Sequence, residues 1–93
     1  MDKKTEAALE ILYKAAKEIN TEEEAQFFFK TLLTEKETQL IAQRLYVSKM
    51  LSENKVYSEI VNETGASSAT VSRVKRAMSL DKEYFKRLLD SVK

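Results

Sequence analysis

The sequence predicts an all-α protein of about six helices. Its 93 residues include one glycine and no proline, so the chain offers few residues for the tight turns that join β-strands. Apolar side chains instead recur at helical spacing along almost the whole chain. The length suits a single domain, because a second independent hydrophobic core would not fit within it.

Helix boundaries are marked by capping chemistry. Residues 21–24 and 34–37 have the form of capping boxes, in which a hydroxyl and a carboxylate satisfy free backbone N–H groups reciprocally. Ser67 and Asp81 are good N-caps, and Gly65 lies where a left-handed residue commonly ends a helix. These signals separate helices predicted at 5–20, 22–33, 35–53, 56–64, from Ser67 onward, and at 81–92.

The absence of whole residue types excludes several function classes. Without cysteine or histidine, the chain cannot form disulfides, thiol nucleophiles, the usual zinc sites or a Ser-His-Asp triad. The carboxylates at 22–24 begin a helix and complement its dipole, so we do not expect an enzyme. No apolar run is longer than three residues, as at 27–29, which is far short of a membrane span, and the N-terminus lacks an apolar signal segment. We therefore expect a cytoplasmic protein without a metal or a membrane partner.

The charge is unevenly distributed, although the net charge is only +1. Residues 1–40 hold 6 basic and 9 acidic side chains, whereas residues 41–80 hold 6 basic and 3 acidic ones. The stretch 64–80 contains three cations and no carboxylate. This pattern indicates either a surface that faces an anionic partner or an ordinary solvated basic helix face.

Three consecutive phenylalanines, Phe27, Phe28 and Phe29, need a special explanation. Each helical residue turns by about 100°, so three neighbours cannot share one narrow buried stripe. Either the helix is fully internal, which is hard to achieve in so small a domain, or a partner chain covers one of the rings. We favour a dimer interface at this position.

Residues 56–80 have the pattern of a helix-turn-helix, with two short helices around a glycine turn. The expected packing brings Ile60 and Val61 of the first helix against Val71 and Val74 of the second. Ala66 is small enough for the corner. A larger aliphatic residue is more usual at the position of Thr64, which makes that residue a weak fit.

The second helix of this motif opens with small hydroxyl and methyl side chains and continues with cations. Hydroxyls can bond base edges or phosphates, methyl groups can contact thymine, and the cations can anchor the DNA backbone. The alternative is a plain helical hairpin with capping serines. We favour DNA binding through Ser67, Ser68, Ala69, Thr70, Ser72, Arg73, Lys75 and Arg76.

From Leu32 to Leu80 the sequence resembles the tryptophan repressor (TrpR) superfamily, and most closely its YerC/YecD-type branch. The matching segments are 32–37, 41–44, 59–60, 62–66 and 69–73. The resemblance implies an intertwined homodimer of six helices per chain, whose two reading heads face successive major grooves of double-stranded DNA. In this interpretation, the domain 1–93 comprises dimerisation helices at 1–53, the helix-turn-helix at 56–78 and a C-terminal helix at 81–92.

The resemblance also implies roles by position. Four side chains would face bases: Ser68, Ala69, Thr70 and Ser72. Three would lie at or near the DNA backbone: Tyr57, Ser58 and Arg73.

An effector pocket is implied in the same way. The family's best-known member binds L-tryptophan between two arginines, and Arg44 and Arg73 occupy those positions here. Leu33 and Thr34 match positions near the ligand's amino group. The implied pocket is completed by Val74 and Ala77. This chain has Val74 where that member has glycine, and Ala77 where it has a serine that holds the ligand. A β-branched side chain should crowd an indole ring, and a lost hydroxyl leaves a polar group of the ligand unpaired. We predict that tryptophan is not the ligand. The pocket is compatible with a co-repressor of other chemistry, and also with a protein that binds no co-repressor.

The sequence therefore predicts a homodimeric, sequence-specific transcriptional regulator, most simply a repressor. The alternative is a helical protein-interaction module that has the helix-turn-helix shape without DNA function.

Overall fold

The structure, a computed structural model, describes residues 1–92; Lys93, the last residue of the predicted domain, lies outside the described residues. Within this range every regular element is a helix, as the sequence predicts. The six helices are α1 (Lys3–Lys17), α2 (Glu22–Leu32), α3 (Glu35–Ser52), α4 (Tyr57–Thr64), α5 (Ser68–Met78) and α6 (Lys82–Asp90). The predicted boundaries agree to within about three residues, and α6 ends two residues before the predicted position 92.

Local capping fixes several of the helix starts. In α2 the N–H of Glu24 donates to Thr21 Oγ1 over 3.1 Å, and the Glu24 carboxylate accepts from the N–H of Thr21 over 3.2 Å. This is the predicted capping box. Asp81 accepts from the N–H of Tyr84 and caps α6. Asp2 caps α1 by accepting a hydrogen bond from the N–H of Thr5. This hydrogen bond lowers the pKa of the Asp2 carboxyl.

The first of two compact units contains α1 and α2 and spans Met1–Glu35. No residue of either helix is buried in the single chain. Large apolar side chains on these helices are strongly exposed: Ile11 is 69%, Phe27 75% and Leu32 57% accessible. The two helices therefore present an apolar face that this unit does not cover.

The second unit begins at Lys36 and contains the hydrophobic core. The core consists of Val47 and Met50 from α3, Ile60 from α4, Ala66 from the following turn and Val71 from α5. Only the C-terminal half of α3 contributes buried residues. The core thus holds the region predicted as a helix-turn-helix onto the end of α3.

Replacing Gly65 with alanine is expected to destabilise this unit by roughly 1 kcal/mol. Gly65 has φ = +75° and ends α4 in the left-handed conformation. A Cβ here would meet Gln43 Nε2 at 3.8 Å, an ordinary contact, so the penalty comes from the backbone. Thermal unfolding should show a midpoint several degrees lower. Gly65→Asn is the control and should lose less stability, because asparagine tolerates this conformation better; equal losses would contradict the explanation.

Candidate nucleic-acid interface

The predicted helix-turn-helix consists of α4, a three-residue turn at 65–67 and α5. Ile60 and Val71 are completely buried, and Val61 and Val74 pack against the same core. Ala66 is 3% exposed at the corner, where a larger side chain would have to displace its neighbours. The packing expected from the sequence therefore fixes α5 relative to α4.

Two hydrogen bonds from α3 hold the end of α4. Gln43 Nε2 donates to the carbonyl oxygen of Thr64 over 3.0 Å, which satisfies one of the free carbonyls at the helix C-terminus. The Tyr46 hydroxyl donates to Glu63 Oε2 over 3.1 Å, and this hydrogen bond to a carboxylate raises the pKa of Tyr46. Sequence reasoning missed both contacts, because the partners are 21 and 17 residues apart and no local pattern joins them.

Thr64 corrects one expectation from the sequence. Its hydroxyl donates to the carbonyl oxygen of Ile60 over 2.7 Å and accepts from the N–H of Ala66 over 3.1 Å. The side chain therefore satisfies backbone groups on both sides of the turn, which an aliphatic residue could not do. Thr64 fits this position through hydrogen bonding rather than through apolar packing.

Ser67 is the N-cap of α5, as predicted. Its Oγ accepts from the N–H of Thr70 over 3.1 Å and lies within hydrogen-bonding distance of Thr70 Oγ1. Thr70 and Ser72 are half-buried, whereas Ser68 and Ala69 are exposed at the start of the helix. The first turns of α5 thus offer small side chains to a partner without an obstructing large residue.

The predicted DNA-contacting side chains all lie on α4, the turn or α5. Seven of them are exposed: Ser58, Ser67, Ser68, Ala69, Arg73, Lys75 and Arg76. Three are half-buried: Tyr57, Thr70 and Ser72.

The cations of α5 are available to an anion. Arg73, Lys75 and Arg76 make no ion pair with any carboxylate within residues 1–92. Lys75 Nζ lies 5.8 Å from the centroid of the Tyr57 ring, which links the start of α4 to the last turn of α5. Positive charge and small hydroxyl side chains therefore occur together on one exposed helix.

The residues of the predicted effector pocket are divided between the two units. Arg44, Val74 and Ala77 line a cavity of about 290 Å³ in the second unit. Arg73 is exposed and is not among the described side chains that line this cavity. Leu33 and Thr34 belong to the first unit, where Leu33 is half-buried at the end of α2 and Thr34 is exposed. The other lining residues are Ile41, Leu45, Ser48, Met78 and Phe85.

We expect calorimetry with L-tryptophan to show no heat of binding up to millimolar ligand. The Val74 side chain occupies a wall of the Arg44 cavity, and Ala77 supplies no hydroxyl for a polar ligand group. The prediction would be contradicted if the parent protein bound L-tryptophan with micromolar affinity. Loss of that affinity in Arg44→Ala would place tryptophan in the cavity.

The described residues were also compared with what a membrane span or a metal site requires. None of the helices in the described part of the chain is long and apolar enough to cross a membrane. Among residues 1–92, no group of three or more acidic side chains is placed to hold a metal ion.

The fold and this surface define a small all-helical protein built around a helix-turn-helix. The sequence profile of the Trp repressor protein family matches residues 7–93, and the chain belongs to that family. It is 41% identical over 93 residues to the uncharacterised protein YerC of Bacillus subtilis strain 168, a match that covers 100% of this chain and 89% of YerC. The resemblance to the YerC-type branch drawn from the sequence is thereby confirmed.

Two solved structures have the same fold. A candidate Trp repressor from Staphylococcus aureus superposes with a TM-score of 0.80 at 40% identity, covering 90% of this chain and 84% of the other. A TrpR-like protein from Eubacterium eligens ATCC 27750 gives a TM-score of 0.80 at 36% identity, covering 90% and 87%. The predicted all-α, TrpR-like fold class is confirmed by these matches.

Proposed function

We propose that this protein is a cytoplasmic, sequence-specific DNA-binding transcriptional regulator that acts as a homodimer, most simply as a repressor. The observation that carries the proposal is the exposed surface of α5. At its start lie Ser68 and Ala69, which can approach a groove closely; farther along lie Arg73 and Arg76, which have no ion-pair partner among the described residues.

The division of labour on α5 follows from side-chain chemistry. Exposed hydroxyl and methyl groups can read base edges in the major groove, and the guanidinium groups can bind phosphates regardless of sequence. The packed core beneath α5 supports this role, because a recognition helix must hold its side chains in one orientation. Tyr57 and Ser58, at the start of α4, are suited to contacts with the neighbouring backbone.

The homodimer is supported by the exposed apolar face of the first unit. Ile11, Leu12, Phe28 and Leu32 line a surface cavity of about 500 Å³ between α1 and α2. Apolar side chains of this size seldom remain exposed together in a monomer. A second copy of the chain that covers them would also provide two reading heads, as a two-fold symmetric DNA site requires.

Membership of the Trp repressor family supports regulation rather than catalysis. The two solved relatives, a candidate Trp repressor and a TrpR-like protein, also support a regulatory role. No catalytic site enters the proposal, because the chain contains neither cysteine nor histidine and its α2 carboxylates act at a helix start.

The direct test is a selection of bound duplexes from a genomic DNA pool at moderate salt. We expect one enriched sequence with two related half-sites about one helical turn apart. If the protein retained no duplex even at low ionic strength, the protein-interaction module would become the better interpretation. Retention without sequence enrichment would reduce the proposal to non-specific DNA binding.

A further inference from the structure

A second cationic region lies beside the exposed surface of α5. A groove of about 470 Å³ runs between the end of α3, the start of α4, α5 and α6. Four lysines line it: Lys55, Lys75, Lys82 and Lys86. They come from three separate segments of the chain, so the tertiary fold rather than a local charge run brings them together.

No carboxylate is among the described side chains that line this groove. None of the four lysines makes an ion pair within residues 1–92. Three carboxylates adjoin lining residues in the sequence: Glu53 pairs with Lys49, Asp81 accepts from the N–H of Tyr84 and caps α6, and Glu83 lies in the first turn of α6. Four amines around one concavity create a positive potential that favours a bound anion of high charge.

The shape and lining favour a small ligand over a flat surface contact. The volume lies within the usual range for small-molecule sites, about 300–1,000 Å³. The side chains of Leu51, Tyr57 and Met78 supply apolar wall, while the lysines supply point charges suited to phosphate. The groove does not include Arg44, Val74 or Ala77, so it is distinct from the predicted effector pocket.

We propose that this lysine groove binds a small molecule that carries two or more phosphate groups, and that its occupation weakens DNA binding. The regulatory part rests on the proposed DNA function, because Lys75 belongs both to the groove and to the cationic surface of α5. A ligand that holds Lys75 and contacts Tyr57 removes both side chains from the DNA backbone. The two anions therefore compete for the same residues.

The first experiment measures ligand binding without DNA. Pyrophosphate and ATP are titrated into the full chain at low ionic strength, with adenosine as the ligand that lacks phosphate. We expect saturable binding of pyrophosphate and ATP at one site per protomer, and no binding of adenosine. Absence of binding by both phosphate compounds would overturn the proposal.

Matched charge variants then locate the site. Lys82→Gln with Lys86→Gln removes two groove charges and should weaken binding about thirtyfold. Lys17→Gln with Lys30→Gln removes the same charge from exposed positions of the other unit and should leave binding unchanged. All four positions are exposed and glutamine is a good helix former, so circular dichroism should show folded proteins. Equal weakening in both variants would overturn the proposal in favour of diffuse electrostatic attraction.

The second experiment adds a selected duplex. Pyrophosphate should lower the affinity of the parent protein for the duplex. In the groove variant, Lys82→Gln with Lys86→Gln, the ratio of duplex affinities without and with pyrophosphate should be much closer to one. If the groove variant lost duplex affinity but neither protein bound pyrophosphate or ATP, the lysines would be DNA-backbone contacts and the small-ligand site would be wrong. Failure of DNA binding itself would be recognised separately, because the first experiment contains no DNA.

Discussion

Replacing Arg73 and Arg76 together with alanine is expected to lower the affinity for every duplex by about a thousandfold near 0.1 M salt. The proposed dimer would lose four cations that have no ion-pair partner among the described residues. Each lost phosphate contact should also reduce the slope of log affinity against log salt by about 0.9. Fluorescence anisotropy over a range of salt concentrations measures both quantities.

Two further variants separate anchoring from reading. Lys17→Ala with Lys30→Ala removes the same charge from the other unit and should retain most of the affinity. Ser68→Ala should change which sequence is preferred while leaving the salt slope intact, because its exposed hydroxyl can bond a base edge. If Ser68→Ala and the arginine variant altered affinity and preference in the same way, the assignment of roles on α5 would be wrong.

Replacing Phe27 with aspartate is expected to convert the proposed dimer into a monomer at micromolar concentration. Phe27 is 75% exposed in the single chain, and burying such a ring against a partner contributes about 2 kcal/mol. Two-fold symmetry places the change in both copies, so the dissociation constant should rise at least about a thousandfold. Analytical ultracentrifugation over a concentration series gives this constant.

The conservative variant Phe27→Leu is the control at the same position. It keeps an apolar side chain and should remain dimeric, with a smaller loss of affinity between the two copies. If the parent protein itself were monomeric at micromolar concentration, the intertwined dimer would be excluded. If Phe27→Asp stayed fully dimeric, the interface would lie elsewhere on the chain.

Local features of the fold were predictable because their causes lie within a few residues. Gly65 ends α4 and Ser67 begins α5 through backbone preferences and a side-chain cap that act over a short span. The capping box at 21–24 is of the same kind. The packing of the helix-turn-helix followed from apolar spacing alone.

In α3, the periodicity of apolar residues did not predict which of them are buried. Its apolar stripe extends from Leu40 to Leu51, yet Val47 and Met50 are buried whereas Leu40 and Leu45 are nearly half exposed. A stripe indicates which side of a helix is apolar, but it does not indicate what covers each part. The exposed leucines of α3 agree with the proposed partner chain.

The helical class, the helix ends, the turn at Gly65 and the residue types on α5 could be predicted without a structure, because each depends on local spacing or on composition. The contact between Gln43 and Thr64, and the groove lined by lysines from three segments, could be found only in the folded molecule. Such contacts join residues far apart in the chain, and their geometry is set by the packing of whole helices. No pattern within a single segment encodes that geometry.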